Sequence, residues 1–141
     1  MTSKWHSAGD REIINLRGRV ASGLKQSKFF TGIPWVKKQF VDKLGIEPYP
    51  GTFNITVIAE DKEKLNSLRK STGIEIIPED MNFCSAHSFA VLIDGKIKGA
   101  AIIPQVSNYP QAQLEVISAE NIKQSLSLKD GDSVDIEVIS R

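Results

Sequence analysis

Two neutral oxygen-bearing side chains, Thr52 and Asn54, stand two residues apart just after a turn built from Pro48, Pro50 and Gly51. Residues two apart on a strand lie on the same face. A hydroxyl and an amide oxygen placed together can help hold a hard cation such as Mg²⁺, which completes its shell with water and phosphate oxygens. A simpler alternative stays open, in which Thr52 caps the turn and Asn54 is a solvated strand residue.

A carboxylate that could handle a proton is Glu115, on a short strand between Leu114 and Val116. Alternation along a strand turns its side chain to the face opposite theirs. There it could bind hydroxyl groups of a substrate or accept the proton of an attacking hydroxyl. The pattern is equally typical of an outward-facing strand carboxylate, and the residues alone do not choose between the two.

A polar loop at residues 22–28 follows the first predicted strand and carries Lys25 and Lys28. Backbone amides approach phosphates closely only where side chains are absent, and Gly23 is the only glycine that this loop offers. Its lysines could supply charge in place of some amide contacts. The alternative is an ordinary hairpin loop with solvated lysines.

The usual nucleotide and metal motifs are absent from the chain. There is no GxxxxGKS/T P-loop and no GxGxxG fingerprint, and the Gly95-Lys96 pair falls in a predicted hairpin turn. No HExxH or CxxC predicts zinc, and protein-kinase motifs are missing. Phosphoryl transfer nevertheless needs few protein groups: a metal site, hydrogen-bond donors to the phosphates, in-line positioning of the reactants and a carboxylate for the attacking hydroxyl. The candidate residues above would supply these parts.

The composition indicates an ordinary globular chain of 141 residues with a net charge of +1, which predicts no nucleic-acid or membrane partner. A single cysteine, Cys84, excludes an internal disulfide and suits a reducing cytoplasm. No stretch approaches the roughly 20 apolar residues of a membrane span, and no signal peptide is visible. We therefore expect a cytoplasmic protein, with residues 1–11 as a loose arm and residues 12–141 as one domain. No protein partner is implied.

Short strands separated by turns are the elements that must position these groups. The pattern predicts about six strands and two or three short helices. Apolar alternation places strand segments near residues 14–20, 52–58, 74–77, 83–93, 97–103, 114–117 and 134–138. Helical spacing places helices near 34–44 and 120–126, and residues 60–70 are predicted as a short surface helix or an ordered loop. Pro34 opens the first helix and Gly45 ends it. Without regular helical crossovers, this order favours a closed β-barrel over a parallel α/β sheet.

Several blocks of the chain resemble one family. PYPGTFN, with LG shortly before it, is preceded by RGRVASGLKQSKFF and followed by GAAIIPQVSNY, LEVIS and LSLKDGDSVDIEV. Over residues 16–138 the chain resembles the archaeal-type CTP-dependent riboflavin kinases. The resemblance implies a mainly β fold, a small closed six-stranded Greek-key barrel of the cradle-loop, riboflavin-kinase-like kind. It also implies transfer of the γ-phosphate of CTP to the 5′-hydroxyl of riboflavin, giving FMN and CDP.

The resemblance also implies roles for particular residues. Thr52 and Asn54 would hold Mg²⁺, while Ser107 and Glu115 would contact the flavin. Glu115 is also the candidate catalytic carboxylate. Two segments would bind the nucleotide, namely Ser22, Gly23, Leu24, Lys25, Gln26, Ser27 and Lys28, and Glu120, Asn121, Ile122 and Lys123.

The chain departs from the family pattern at three of these places. Residues 25–27 follow Gly23 where further glycines would be expected, and Ser107 replaces the usual threonine but keeps a hydroxyl. Residues 120–123 are less basic than the family pattern and lack its proline. The glycine-poor loop leaves two alternatives open: a non-catalytic flavin- or nucleotide-binding module of the same fold, or a kinase for another small alcohol.

Overall fold

The structure is a computed structural model that describes residues 12–22, 32–79, 85–106 and 109–140. The predicted N-terminal arm, residues 1–11, lies outside the described residues. The strands are β1 (Glu12–Ala21), β2 (Phe53–Val57), β3 (Ile74–Ile76), β4 (Ala86–Ile93), β5 (Ile97–Pro104), β6 (Gln113–Ile117) and β7 (Ser133–Ser140). The helices are α1 (Pro34–Leu44), α2 (Lys62–Arg69) and α3 (Ile122–Ser125), with a 3₁₀ turn at Ala59–Asp61.

Six of the strands form a closed antiparallel barrel, as the sequence predicts. The order around it is β4, β5, β6, β2, β1 and β7, and pairing between β4 and β7 closes the ring. Strand β3 lies outside the barrel and pairs with β4 alone. Closure removes the free strand edges that an open sheet of this size would present. Among the described residues, no helix has the length and apolar character needed to cross a membrane.

The barrel interior is filled by the apolar residues of the alternating strand patterns. Leu16 and Val20 of β1 and Ile55 of β2 are almost fully buried, and they pack with inward residues of β4, β6 and β7. Complete burial of one such side chain stabilises the fold by about 1.5–3 kcal/mol. Gly18 lies between Leu16 and Val20 on the inward face of β1, where β2 approaches closely. A Cβ atom at this position would meet a side chain and a backbone carbonyl of β2, so a residue without a side chain is needed.

Helix α1 packs against the sheet through a second apolar cluster. Its residues Val36, Phe40 and Leu44 are buried against residues of β3, β4, β5 and β6. Pro34 lies at the start of the helix, where a missing amide costs little. Gly45 has a φ of 71° and donates to the Val41 carbonyl, so it ends the helix as predicted.

The register of three neighbouring strands brings the candidate site together. Ala21 of β1 pairs with Asn54 of β2, and Asn54 pairs in turn with Glu115 of β6. Ser22, the first residue of the predicted nucleotide loop, directly follows Ala21. The loop therefore starts beside the strand that carries the predicted metal pair.

Candidate functional site

Thr52, Asn54 and Glu115 form one hydrogen-bonded cluster where β2 meets β6. The Thr52 hydroxyl donates to Glu115 Oε1 at 3.1 Å. The Asn54 amide nitrogen lies 3.2 Å from the same hydroxyl and 3.0 Å from the Thr52 carbonyl oxygen. Thr52 and Glu115 are 63 residues apart in sequence, so only the barrel register makes them neighbours.

Asn54 is buried, with only 6% of its surface exposed. The alternative in which it is a solvated strand residue is therefore wrong. Its amide nitrogen donates to the carbonyl and hydroxyl of Thr52, and its amide oxygen accepts from Gln113 Nε2 at 3.2 Å. Because a buried amide needs such partners, these bonds account for the orientation that Asn54 has in this structure.

Glu115 lies on the face of β6 opposite the core residues Leu114 and Val116, but it is only 8% exposed, so it is not a solvated strand carboxylate. Its second oxygen, Oε2, accepts from the Tyr109 hydroxyl at 2.6 Å. Burial raises the pKa of Tyr109 well above its ordinary value, and the hydrogen bond to Glu115 raises it further. Tyr109 therefore remains a neutral phenol that donates to the carboxylate.

Arg69, in the last turn of α2, fastens the chain segment that carries Tyr109. Its guanidinium donates to the carbonyls of Pro110 and Gln111. It also lines a depression of about 370 Å³ together with Asn66, Gln105, Val106 and Tyr109. The phenol that contacts Glu115 is thus held from two sides, by its own hydrogen bond and by the tether to α2.

The oxygen atoms around Thr52 suit a hard cation. The carbonyl and hydroxyl oxygens of Thr52 accept from the Asn54 amide nitrogen, the Asn54 amide oxygen faces Gln113, and the Glu115 carboxylate accepts from the Thr52 hydroxyl. Within the described ranges, no group of three or more His, Cys, Asp or Glu residues could hold a metal. A cation in this cluster would therefore meet mostly neutral oxygens and one carboxylate. That donor set fits an ion such as Mg²⁺, which keeps water and phosphate ligands.

Asp130 joins the described ends of the two predicted nucleotide segments. Its carboxylate accepts from the Ser22 hydroxyl at 3.0 Å and from Lys123 Nζ at 2.8 Å. The hydrogen bond from Lys123, followed by that from Ser22, lowers the pKa of Asp130. All three residues are exposed, so the contacts add little stability. They do show that Ser22 and Lys123 lie on the same side of the barrel.

The other members of the segment at 120–123 have structural contacts of their own. Glu120 accepts from the Ser125 hydroxyl at 2.8 Å, and Asn121 caps α3 by accepting from the Gln124 amide. Ile122 is buried in the barrel core, so its side chain is not available to a nucleotide. Of the remaining predicted site residues, Gly23, Leu24, Lys25, Gln26, Ser27, Lys28 and Ser107 lie outside the described residues.

Three residues that the sequence did not single out contact the predicted site: Tyr109, Gln113 and Asp130. Gln113 stands two positions before Glu115 on one strand, so period-2 alternation could have found it. Tyr109 and Asp130 lie in loops, where no periodicity predicts a direction. Their contacts arise only from how the loops fold back on the barrel.

These features define a class of protein: a small closed antiparallel barrel with a buried, oxygen-rich polar cluster and none of the usual nucleotide motifs in its sequence. Residues 20–138 match the family model CTP-dep_RFKase, described as "Domain of unknown function DUF120". The match covers most of the chain, and the chain belongs to this family.

Curated relatives of the chain are archaeal riboflavin kinases. The chain is 38% identical over 133 residues to the riboflavin kinase of Archaeoglobus fulgidus, covering 92% of this chain and 57% of that protein. It is 36% identical over 134 residues to the riboflavin kinase of Sulfurisphaera tokodaii, covering 90% of this chain and 96% of that protein. The riboflavin kinase of Methanosarcina barkeri is 31% identical over 134 residues, covering 92% and 58%. The chain thus spans under two thirds of the Archaeoglobus and Methanosarcina proteins.

Proposed function

We propose that this protein is a riboflavin kinase that transfers the γ-phosphate of CTP to the 5′-hydroxyl of riboflavin, releasing FMN and CDP. The observation that carries the proposal is the cluster of half-buried Thr52 with buried Asn54 and Glu115, in a chain of the CTP-dep_RFKase family. The names of the curated relatives support riboflavin as the acceptor. CTP as the donor rests on the family name and on the absence of a P-loop.

Thr52 and Asn54 are the proposed ligands of Mg²⁺. A bound Mg²⁺ would neutralise charge on the β- and γ-phosphates of the nucleotide. The Asn54 amide now turns its nitrogen toward the Thr52 hydroxyl and its oxygen toward Gln113. To present both side-chain oxygens to one ion, the amide must turn over, exchanging the two atoms.

Glu115 is the proposed acceptor of the riboflavin hydroxyl proton. As the 5′-oxygen forms its bond to the γ-phosphorus, the bond to the β-phosphate oxygen breaks and CDP leaves. The hydroxyl proton passes to a Glu115 oxygen. The hydroxyl groups of Thr52 and Tyr109 donate to different oxygens of this carboxylate, so the carboxylate is held at the position where it would receive the proton. Ser107 is proposed to contact the flavin beside Glu115.

The nucleotide is proposed to bind between the segments 22–28 and 120–123. Their described ends, Ser22 and Lys123, share the Asp130 carboxylate, which supports a single binding face. Because Ile122 is buried, the second segment would contact the nucleotide through its backbone and through Lys123. Lys25 and Lys28 would supply charge in place of some backbone amide contacts in this glycine-poor segment.

The test is to incubate the protein with riboflavin, Mg²⁺ and each of CTP, ATP, GTP and UTP, and to separate FMN from riboflavin by chromatography. We expect much more FMN with CTP than with ATP. Equal or greater turnover with ATP would overturn the donor assignment. Glu115→Gln should lose activity, whereas Glu75→Gln, which changes an exposed carboxylate of β3, should keep it.

A second candidate function is a flavin- or nucleotide-binding module without transfer activity. The specific observation in its favour is the glycine-poor segment after Gly23. No FMN with any of the four nucleotides, together with retained riboflavin or CTP binding, would favour this candidate over the kinase.

A further inference from the structure

Among the described residues of the segment between β5 and β6, Tyr109 reaches the polar cluster. Its hydroxyl lies 2.6 Å from Glu115 Oε2, which is the short distance typical of a hydrogen bond to a charged oxygen. The phenol is partly buried, and Arg69 holds the neighbouring carbonyls of Pro110 and Gln111. A contact that is short, charge-assisted and held from both sides fixes the position of the carboxylate.

The other oxygen of the same carboxylate, Oε1, sets the direction in which the Thr52 hydroxyl proton points. That hydroxyl has one proton and two lone pairs, and it gives its proton to Glu115 Oε1. Its lone pairs therefore point away from Glu115, and one of them accepts from the Asn54 amide. If the carboxylate could rotate, the Thr52 proton would be free to turn toward an incoming cation, where it would repel the ion.

We propose that Tyr109 is a positioning residue for the metal pair, acting through Glu115 on the Thr52 hydroxyl. This inference rests on the proposed function, because it takes Thr52 and Asn54 as the ligands of the cation. Groups that orient metal ligands from behind commonly change metal affinity by about 10- to 100-fold when they are removed. Because Tyr109 stands one contact further from the ion than Glu115, we expect the lower end, about tenfold.

The chain offers a matched control in its other tyrosine. Tyr49 precedes the Pro50-Gly51 turn and is 45% exposed, and its backbone amide bonds to the Ser118 carbonyl. Changing each tyrosine to phenylalanine removes the same single oxygen. Both variants keep the ring and its packing, so we expect both to fold.

The experiment measures Mn²⁺ binding in place of Mg²⁺, by water-proton relaxation enhancement with saturating CDP. Mn²⁺ with CDP in protein-free buffer gives the baseline. We expect Tyr109→Phe to weaken Mn²⁺ binding about tenfold and Tyr49→Phe to leave it unchanged. In a Glu115→Leu background, adding Tyr109→Phe should change the affinity less than about twofold, because the carboxylate through which Tyr109 acts is gone.

Three results would overturn the inference: Mn²⁺ affinity of Tyr109→Phe within about twofold of wild type, an undiminished effect of Tyr109→Phe in the Glu115→Leu background, or no Mn²⁺ binding by wild type. FMN formation by wild type is measured on the same samples. If wild type forms no FMN but Tyr109→Phe still weakens Mn²⁺ binding, the kinase function is refuted and the role of Tyr109 in the ion site stands. If wild type forms FMN but Tyr109→Phe leaves Mn²⁺ binding unchanged, the role of Tyr109 is refuted and the kinase function stands.

Discussion

Replacing the polar atoms of Thr52 and Asn54 by apolar ones of similar shape separates their proposed role in metal binding from their structural role. Asn54→Leu removes three hydrogen bonds, to the carbonyl and hydroxyl of Thr52 and from Gln113. Each contributes about 0.5–1.5 kcal/mol net. The leucine side chain recovers part of this by burying apolar surface at a position that is 6% exposed. We expect a stability loss of about 1–3 kcal/mol.

Thr52→Val removes one donor and one acceptor, so its cost to stability should be about 1–2 kcal/mol. Domains of this size are commonly stable by about 5–15 kcal/mol, so both variants should stay folded at 25 °C. A metal that stabilises the transferring phosphate contributes several kcal/mol, and about 2.7 kcal/mol corresponds to a hundredfold in rate. Each variant should therefore lose at least about a hundredfold in rate, which partial unfolding cannot explain.

The assay is FMN formation from riboflavin and CTP at saturating Mg²⁺, with urea denaturation of the same samples to measure stability. Thr56→Val is the matched control, because Thr56 follows Asn54 on the same strand face and is exposed. Its rate should stay within about twofold of wild type. A folded Thr52→Val/Asn54→Leu double variant with near-normal activity would show that neither side chain is a necessary ligand.

Three further predictions concern other parts of the molecule. The pKa of Tyr109 is raised above 10.0, mainly because the phenol is buried and secondly because it is hydrogen-bonded to Glu115. The contribution of neutral Tyr109 to the free energy of unfolding is present below about pH 10 and is lost above it, because the tyrosine of the unfolded chain then ionises. Between about pH 8 and 11, the urea midpoint of wild type should therefore fall more steeply than that of Tyr109→Phe. Equal slopes would count against the shift. Gly18→Ala should cost about 1–3 kcal/mol because its Cβ meets a β2 carbonyl oxygen at 2.8 Å. Gly32→Ala, in open space, should cost much less in the same denaturation measurement. If Lys25 and Lys28 bind phosphate through their charge, the KM for CTP should rise with salt, because ions screen such charges over about 8 Å at physiological ionic strength. The double alanine variant should raise KM at low salt and flatten that dependence, and an unchanged slope would mean that the lysines are merely solvated.

Much of the fold could be predicted from the alternation of apolar and polar residues along the strands. Alternation in β1 predicted that Leu16 and Val20 point inward, and both are buried. The positions of Pro34 and Gly45 predicted where α1 begins and ends, because each residue restricts or permits particular backbone angles locally. Such features depend on neighbours in sequence, which is why they were readable without coordinates.

The spacing of Thr52 and Asn54 likewise placed two oxygens on one strand face, and the surrounding blocks carried the family resemblance. Burial of Asn54 could not be read in this way. Asparagine on a polar strand face is ordinarily solvated, and the covering partner, Gln113, comes from a strand about 60 residues away. Which strand lies beside β2 is decided by how the whole barrel closes.

The sequence by itself therefore determined the element types, the barrel class, the placement of Thr52 and Asn54 as a proposed metal pair, and the family. The tertiary structure alone decided that Glu115 lies against Thr52, that Tyr109 holds its other oxygen, and that Asp130 joins Ser22 to Lys123. The physical reason is that alternation sets only the face of a side chain. Partners across strands follow from register, which the burial of the complete core selects, and the contacts of loops follow from that barrel in turn.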